Sequence, residues 1–179
     1  MSARERLIVI GNGMAGIRLL EELWQLAPDL YDVRVFSAEP HGSYNRILLS
    51  PVLAGEKRFE DIVTHPQAWY AARGIELHKG TRVQAIRRQT REIETSDGQM
   101  FGYDRLVLAT GSRPFILPIP GNNLPGVVGF RDIADVEAML EQRGEHRSAV
   151  VIGGGLLGLE AAYGLLRQGF HVRVVHLNQ

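Results

Sequence analysis

The sequence predicts an α/β fold built from β-α-β units with parallel strands, and two observations carry this prediction. First, a run of four apolar residues leads into a Gly-x-Gly-x-x-Gly turn at two places, residues 7–16 and 149–158. Second, apolar residues at helical spacing follow each turn, and a short alternating strand follows each helix, at residues 33–36 and 172–175. The same order of strand, glycine turn, helix and strand therefore occurs twice.

The first glycine turn has the pattern of a dinucleotide-binding site. Its first glycine allows a tight bend, its second lets backbone amides approach a pyrophosphate, and its third lets the helix pack closely on the strand. The N-terminus of the helix then faces the phosphates with its partial positive charge. A tight turn without a ligand is the alternative, which the duplication disfavours. The residues predicted to bind the cofactor here are Gly11, Asn12, Gly13, Met14, Ala15 and Gly16.

The second glycine turn predicts a second dinucleotide, bound by Gly153, Gly155 and Gly158. Two dinucleotides side by side in one chain indicate electron transfer between them. The strand that follows ends at His176, the place where an NAD enzyme usually has an acid and an NADP enzyme has basic residues. A histidine favours neither, so the sequence leaves the choice between NADH and NADPH open.

The region between the two units begins with a long loop over residues 37–58, which is predicted to be packed and functional. A short helix near residues 66–73 and a strand over 75–78 follow. Alternating residues at 82–87 and 92–95, with a Ser-Asp-Gly turn after them, predict a small antiparallel appendage. The apolar residues that predict packing of the long loop are Leu48, Leu49, Val52 and Leu53.

A further apolar strand begins at Tyr103 and ends in the small residues Ala109, Thr110 and Gly111. Ligands of open α/β sheets bind beyond the carboxyl ends of the strands, so these three small residues are predicted to line the cofactor. Helical spacing resumes over residues 133–140. The residues between, which break regular structure and predict a linker, are Pro114, Pro118, Pro120, Gly121 and Pro125.

The composition is that of a globular protein, and it does not indicate a strongly charged binding partner. Apolar residues make up 45%, charged residues 22%, and 20 basic side chains balance 20 acidic ones, so neither nucleic acid nor an anionic membrane is an expected partner. No apolar run is long enough for a membrane span, and the first residues lead into a strand rather than a signal peptide, which predicts the cytoplasm. The chain has no cysteine and can therefore hold neither a redox disulfide nor an iron-sulfur cluster.

The second unit is expected to be truncated, because the sequence stops at Gln179, just after its second strand. One β-α-β unit cannot form an independently covered parallel sheet. We therefore expect an N-terminal piece of a longer protein, with apolar faces near Leu157, Leu165 and Val174 that favour self-association. The predicted domains are 1–117, the first segment of a cofactor-binding domain; 118–146, a linker and connecting helix; and 147–179, the start of the second domain.

The two glycine turns, together with the Ala-Thr-Gly strand end and its prolines, resemble the two-dinucleotide flavoprotein family, which is pyridine nucleotide-disulfide oxidoreductase-like. This family includes glutathione-reductase-like enzymes, ferredoxin and rubredoxin reductases, and the flavin modules of nitrite reductases. The resemblance implies a Rossmann-like FAD-binding domain with a three-layer sheet and a small antiparallel β appendage, followed by a truncated Rossmann-like NAD(P)-binding unit. FAD would occupy the first glycine turn and NAD(P)H the second, and a later segment would close the FAD site.

Within the family, the loop at residues 44–51 and the run Leu156–Glu160 are most similar to the flavin modules of NAD(P)H-dependent nitrite reductases. The absence of a Cys-x4-Cys pair after the first helix agrees with this, because the family's disulfide reductases carry their redox cysteines there. Rubredoxin and ferredoxin reductases have a similar loop. Where the family often has a lysine near the flavin, this chain has Pro51, so no such contact is expected.

The resemblance also implies roles for single residues. Glu39 is expected to bind the adenosine ribose, Arg46 the FAD phosphates, and the backbone of Val83 the adenine. Arg131 is similar to an arginine at the FAD site, and Glu160 to a glutamate close to the nicotinamide. The alternatives are a solvated loop charge for Glu39, a surface salt bridge for Arg46, an exposed charge at a helix start for Arg131, and a packing or solvent-facing carboxylate for Glu160.

The resulting hypothesis is an FAD-dependent NAD(P)H oxidoreductase segment. Hydride would pass from nicotinamide to flavin, and electrons would leave for a redox acceptor domain or protein, with an iron-sulfur cluster and siroheme only in the remainder of a nitrite reductase. No catalytic acid or base and no metal site is expected in this segment, because the cofactors carry the chemistry. The alternatives are a rubredoxin or ferredoxin reductase, and a non-catalytic nucleotide-binding module or inactive fragment. The isolated chain is expected to be inactive.

Overall fold

A computed structural model describes residues 4–143 and 147–177. The described residues pack into two compact units. The first unit takes the residues up to Tyr44 and Val63–Ser112, and the second takes Asn45–Ile62 and the residues from Arg113 onward. The predicted domain boundaries stay a prediction, and residues 1–3, 144–146 and 178–179 of those domains lie outside the described residues.

Strands and helices are numbered along the chain. The strands are β1 (Glu5–Ile10), β2 (Tyr31–Phe36), β3 (Ser43–Tyr44), β4 (Val63–His65), β5 (Glu76–His78), β6 (Val83–Arg87), β7 (Glu92–Thr95), β8 (Met100–Gly102), β9 (Arg105–Leu108), β10 (Ser148–Ile152) and β11 (His171–Val175). The α-helices are α1 (Met14–Leu26), α2 (Leu49–Leu53), α3 (Gln67–Ala71), α4 (Ile133–Glu141) and α5 (Leu156–Arg167), and 3-10 turns span Arg46–Leu48 and Phe59–Ile62.

A parallel sheet with the strand order β5-β2-β1-β9 forms the centre of the first unit. The last four residues of β1 are all buried, so this strand is covered on both faces. On one face Leu7 and Val9 pack with Ile17 and Leu20 of α1 and with Tyr70 of α3. Each fully buried aliphatic side chain of this kind contributes about 1.5–3 kcal/mol. Sheet and helices thus form two layers of the unit.

The third layer is an antiparallel sheet with the order β6-β7-β8. Its fully buried Ile93 packs with Ile8, Ile10 and Phe36 on the second face of the parallel sheet. The turn between β7 and β8 passes through Gly98, which has φ +81°. The predicted α/β fold with three layers and a small antiparallel appendage is therefore confirmed.

The second unit contains the second β-α-β arrangement. β10 pairs with β11 in parallel, with Ser148 opposite His171 and Ile152 opposite Val175, and α5 connects them. α4 begins with a reciprocal capping box, in which Asp132 and Asp135 each accept from the other's backbone N–H.

Leu157, Leu165 and Val174 of the second unit are expected to lie on uncovered apolar faces, and the structure shows this for two of them. Leu157 and Val174 are exposed, whereas Leu165 is buried within the unit at 6% exposure. Leu165 follows the buried Ala161 by one helical turn, so it lies on the covered side of α5. None of the helices among the described residues combines the length and the hydrophobicity of a membrane span.

Candidate functional site

The first glycine turn lies directly between β1 and α1. Gly11 has φ +110°, and its N–H donates to the carbonyl of Phe36 at the end of β2 at 2.9 Å. A Cβ on Gly11 would lie 2.1 Å from the carbonyl oxygen of Ala109, so only glycine fits there. The structure thus brings Ala109 against the first turn, as a shared site requires.

The third glycine of this turn allows close packing of helix on strand. A Cβ on Gly16 would lie 2.3 Å from the carbonyl oxygen of Gly11. Gly13 is the N-cap of α1 and has extended backbone, and Met14 and Ala15 of the first helical turn are exposed. The helix N-terminus therefore presents its first amides at an open surface, where a phosphate group would be stabilised.

Asn12 is the buried polar residue of the turn, with 8% of its surface exposed. Its Oδ1 accepts a hydrogen bond from the Tyr70 hydroxyl at 2.8 Å, while its Nδ2 has no partner among the described residues. The backbone of Ser43 hydrogen-bonds the same hydroxyl, and burial raises the pKa of the Tyr70 phenol. A buried donor without an acceptor is costly. The Nδ2 of Asn12 is thus available to donate to an oxygen atom of a ligand, and a dinucleotide carries many such oxygens.

The remaining predicted residues of the first unit lie at three different places. They are Glu39, Val83, and the pair Thr110 and Gly111. Glu39 follows β2, and its carboxylate accepts from the Tyr44 hydroxyl at 2.6 Å, which fixes the carboxylate past the strand tip. Val83 begins β6 and is partly buried. Thr110 and Gly111 are exposed after β9, where the predicted ligand edge of the sheet lies.

The second glycine turn repeats the geometry of the first. Gly153 has φ +117°, and its N–H donates to the carbonyl of Val175 at the end of β11 at 2.8 Å. A Cβ on Gly158 would lie 2.0 Å from the Gly153 carbonyl oxygen. A Cβ on Gly155, by contrast, would meet nothing within 4 Å, so the middle of the turn is open. Both turns therefore have the shape that lets a pyrophosphate approach backbone amides.

His176 contacts the second turn directly. Its Nδ1 accepts a hydrogen bond from the N–H of Gly154 at 3.2 Å. This contact leaves Nε2 as the ring nitrogen that carries the proton in the neutral side chain. The residue lies just past β11, the position that usually contacts the adenosine ribose of the nucleotide.

Three predicted residues meet partners within the second unit. The Arg46 guanidinium donates to the Arg131 carbonyl at 3.2 Å, and the Arg131 N–H donates to Asp135 at 2.7 Å. The two arginines assigned to one cofactor are thus neighbours. Glu160 is exposed on α5 and accepts from the Ser50 hydroxyl at 2.5 Å.

Sequence reasoning missed Tyr70 and Ser50. Tyr70 is 58 residues from Asn12, and Ser50 is 110 residues from Glu160. No local pattern relates residues so far apart. Ser50 lies immediately before Pro51 in the loop that carries the family resemblance, and this position is the sequence feature that points to it.

Residues 5–179 match the family model described as "Pyridine nucleotide-disulphide oxidoreductase". The chain is 47% identical over 174 residues to a protein of Bacillus subtilis (strain 168) named "Nitrite reductase [NAD(P)H]", covering 97% of the chain and 22% of that protein. It is 46% identical over 173 residues to the same organism's "Assimilatory nitrate reductase electron transfer subunit", again covering 97% and 22%.

The chain also superimposes on solved structures of reductases. The chain superimposes with a TM-score of 0.83 and 32% identity on a chain of the covalent putidaredoxin reductase-putidaredoxin complex, covering 97% of this chain and 42% of that one. It superimposes with a TM-score of 0.84 and 28% identity on the ferredoxin reductase for the CYP199A2 system of Rhodopseudomonas palustris, covering 96% and 42%. The chain spans 22% of the length of the first two curated relatives.

Proposed function

The chain belongs to the pyridine nucleotide-disulphide oxidoreductase family, and from this premise we propose that it carries the FAD and NAD(P)H sites of an electron-transferring flavoprotein. FAD binds at the turn Gly11–Gly16 and NAD(P)H at the turn Gly153–Gly158. Electrons pass from NAD(P)H through FAD to an acceptor outside this chain.

The observation that carries the proposal is the backbone geometry that the two turns share. In each, the first glycine has positive φ and donates to the end of the neighbouring strand, and the third glycine packs on the carbonyl of the first. A single glycine turn also closes strand-helix junctions that bind nothing. Two turns of the same construction, one of them beside the orphaned amide of Asn12, support two dinucleotides.

The residues of the chain fit FAD at the first turn. The backbone amides at the start of α1 would hold the pyrophosphate, Asn12 would donate to one of its oxygens, and Glu39 would accept from the adenosine ribose. The backbone of Val83 would contact the adenine, and Arg46 the phosphates, since a guanidinium pairs well with phosphate oxygens.

The residues around the isoalloxazine and nicotinamide rings complete the proposal. Ala109, Thr110 and Gly111 would line the flavin, with Arg131 at the FAD site and Glu160 close to the nicotinamide. When bound, the two cofactors supply hydride transfer and the splitting of an electron pair into single electrons. The chain binds and orients them, and none of its side chains needs to act as a general acid or base.

We further propose that the acceptor belongs to a nitrite reductase, supported by 47% identity to the Bacillus subtilis protein of that name. The iron-sulfur cluster and siroheme of such an enzyme would lie outside this chain, which has no cysteine. Cytoplasmic NAD(P)H would be the electron source. A second candidate is a reductase of a small redox protein, which the 32% identity to putidaredoxin reductase favours.

The experiment compares acceptors with the full-length protein. After aerobic purification, a flavin absorbance near 450 nm is expected, and NADH is then supplied with nitrite or with a ferredoxin or rubredoxin as acceptor. Nitrite-dependent NADH oxidation supports the first candidate, and reduction of the added redox protein alone supports the second. A protein that neither holds nor binds flavin contradicts both.

A further inference from the structure

One face of α5 is occupied by the segment 45–62 of the same unit. Ser50 Oγ donates to Glu160 Oε2 at 2.5 Å, and one turn further along α5 the Leu53 side chain lies against Gly164. Another turn on, the Gln168 amide donates to the Leu53 carbonyl at 2.9 Å. Contacts at every fourth residue lie on one stripe of a helix, so α2 lies against the stretch of α5 from Glu160 to its C-terminal end.

Gly164 allows this close approach of the two helices. A Cβ at this position would lie 2.7 Å from Cγ and 2.9 Å from Cδ2 of Leu53, which is fully buried. Distances below 3.0 Å force a shift, so a side chain at residue 164 would displace the buried Leu53 side chain of α2. The Tyr163 hydroxyl adds a hydrogen bond to Glu56 at 3.2 Å. The position of Ser50 over Glu160 is thus set by packing beneath it.

Glu160 lies two residues after Gly158, on the first turns of the helix that begins at the second glycine turn. Its side chain is exposed, and an exposed glutamate samples several rotamers unless a partner restrains it. A hydroxyl donor orients a carboxylate without adding a positive charge, and hydrogen bonds to an ionised acceptor are stronger than neutral ones. Ser50 therefore restrains Glu160 while leaving its charge uncancelled.

We propose that Ser50 is a positioning residue, which holds the Glu160 carboxylate beside the nicotinamide of the bound nucleotide. The inference rests on the proposed function. Hydride transfer from NAD(P)H to oxidised FAD leaves NAD(P)⁺ and reduced flavin, so positive charge appears on the nicotinamide as the reaction proceeds. A carboxylate fixed near that charge stabilises the transition state more than the ground state, which raises the rate rather than the affinity.

The test uses the full-length flavin-containing protein and stopped-flow reduction by NADH without oxygen. Ser50→Ala is expected to lower the limiting rate of flavin reduction about tenfold, because the Glu160 side chain without its donor samples other rotamers. The apparent Kd for NADH and the FAD content should stay within about twofold. Ser50→Thr keeps the hydroxyl and should restore most of the rate. Ser96→Ala, an exposed serine of the appendage, is the matched control and should behave as the unaltered protein.

A double-mutant cycle separates positioning from a general disturbance of α2. Glu160→Gln should lower the limiting rate at least as much as Ser50→Ala. The double variant should be no slower than Glu160→Gln, because Ser50 acts only through the Glu160 carboxylate. Additive losses, or an unchanged limiting rate in Ser50→Ala, would overturn the positioning role and leave the proposed function standing. If NADH and NADPH both fail to reduce the flavin of the unaltered protein, the proposed function fails together with this inference.

Discussion

Gly11 has no room for a side chain, and the effect of adding one can be measured. Gly11→Ala places a Cβ 2.1 Å from the Ala109 carbonyl oxygen at a residue with φ +110°. We expect a loss of unfolding free energy above the ~1–3 kcal/mol of backbone strain alone. Gly74→Ala is the control, because Gly74 has φ +64° and no atom within 4 Å of its Cβ position. Equal losses in urea unfolding would contradict the tight packing at Gly11.

Gly155→Val is expected to leave the fold intact and to impair the second site. The Cβ of residue 155 meets nothing within 4 Å, and its φ of −76° is open to any residue. A branched side chain there would occupy the space of the pyrophosphate. Reduction by NADH should need at least about tenfold more nucleotide, while dithionite should reduce the flavin as before. Unchanged NADH affinity would show that the second turn is not the nucleotide site.

Tyr70→Phe tests the buried hydrogen bond that holds Asn12. The change leaves Asn12 Oδ1 without its donor, and an unsatisfied buried group costs about 1–3 kcal/mol. We expect lower stability and weaker FAD binding, measured by urea unfolding and by flavin fluorescence titration. Tyr31→Phe, at a half-buried tyrosine of β2, serves as the control. Equal FAD affinity in the two variants would contradict a role of Tyr70 in shaping the turn.

At the residue scale, the sequence predicted the backbone of the site better than its side chains. The positive φ of Gly11 and the close packing of Gly16 follow from the motif itself, because spacing alone determines the turn. Residue contacts across long sequence separations do not follow from spacing. The Asn12 amide held by Tyr70 and the Glu160 carboxylate held by Ser50 therefore became visible only in the folded chain.

At the scale of elements, two ion pairs join the start of β1 to the start of β9, Arg105 with Glu5 at 3.3 Å and Arg6 with Asp104. Arg6 donates to both carboxylate oxygens of Asp104, with Nε and Nη2 each at 3.0 Å, and its backbone N–H adds a third hydrogen bond at 2.8 Å. These hydrogen bonds, led by that of the guanidinium, lower the pKa of Asp104 from 3.8 to about 2. The stabilisation is present above the ordinary pKa and is lost as pH falls toward 2.

Asp104→Asn should therefore lower the free energy of unfolding at pH 7 and weaken its decline between about pH 4 and pH 2. Stability against urea across this pH range measures both effects. Asp32→Asn removes one exposed carboxylate of β2 and serves as the control for net charge. A variant whose acid profile follows that of the unaltered protein would contradict the contribution of the pair.

Elements with strong periodicity were predicted well, and the long loop was not. The strand Glu92–Thr95 lies where it was predicted, and the helix Ile133–Glu141 differs by one residue at its end. In the loop, the packing of Leu49, Val52 and Leu53 was expected, but the helix they form was not. Five residues with a proline are too few to be helical by propensity, so this helix depends on its contacts with α5.

At the scale of the whole molecule, apolar residues of the second unit remain exposed. On α5, Leu156 is 83% and Leu157 60% exposed, and Leu159 and Leu166 are more than half exposed. A polypeptide of these 179 residues is therefore expected to self-associate with rising concentration in sedimentation experiments. Replacing Leu156 and Leu157 by serine should reduce association, whereas Leu26→Gln in the first unit should not. A polypeptide that stays monomeric at high concentration would contradict this.

The fold class followed from the repeated β-α-β pattern because that pattern is local and occurs twice. The grouping of residues 45–62 with the second unit depends on contacts between distant parts of the chain, so it could not be predicted. The glycine turns alone predict two dinucleotides. The family resemblance identifies them as FAD and NAD(P)H.

The central claim is that NAD(P)H delivers electrons to FAD within this pair of sites, and an anaerobic titration of the full-length flavoprotein tests it most directly. Bleaching of the flavin absorbance should be complete at about one NADH or NADPH per FAD, since each hydride carries the two electrons that a flavin accepts. A flavin that dithionite bleaches but neither nucleotide reduces would contradict the claim.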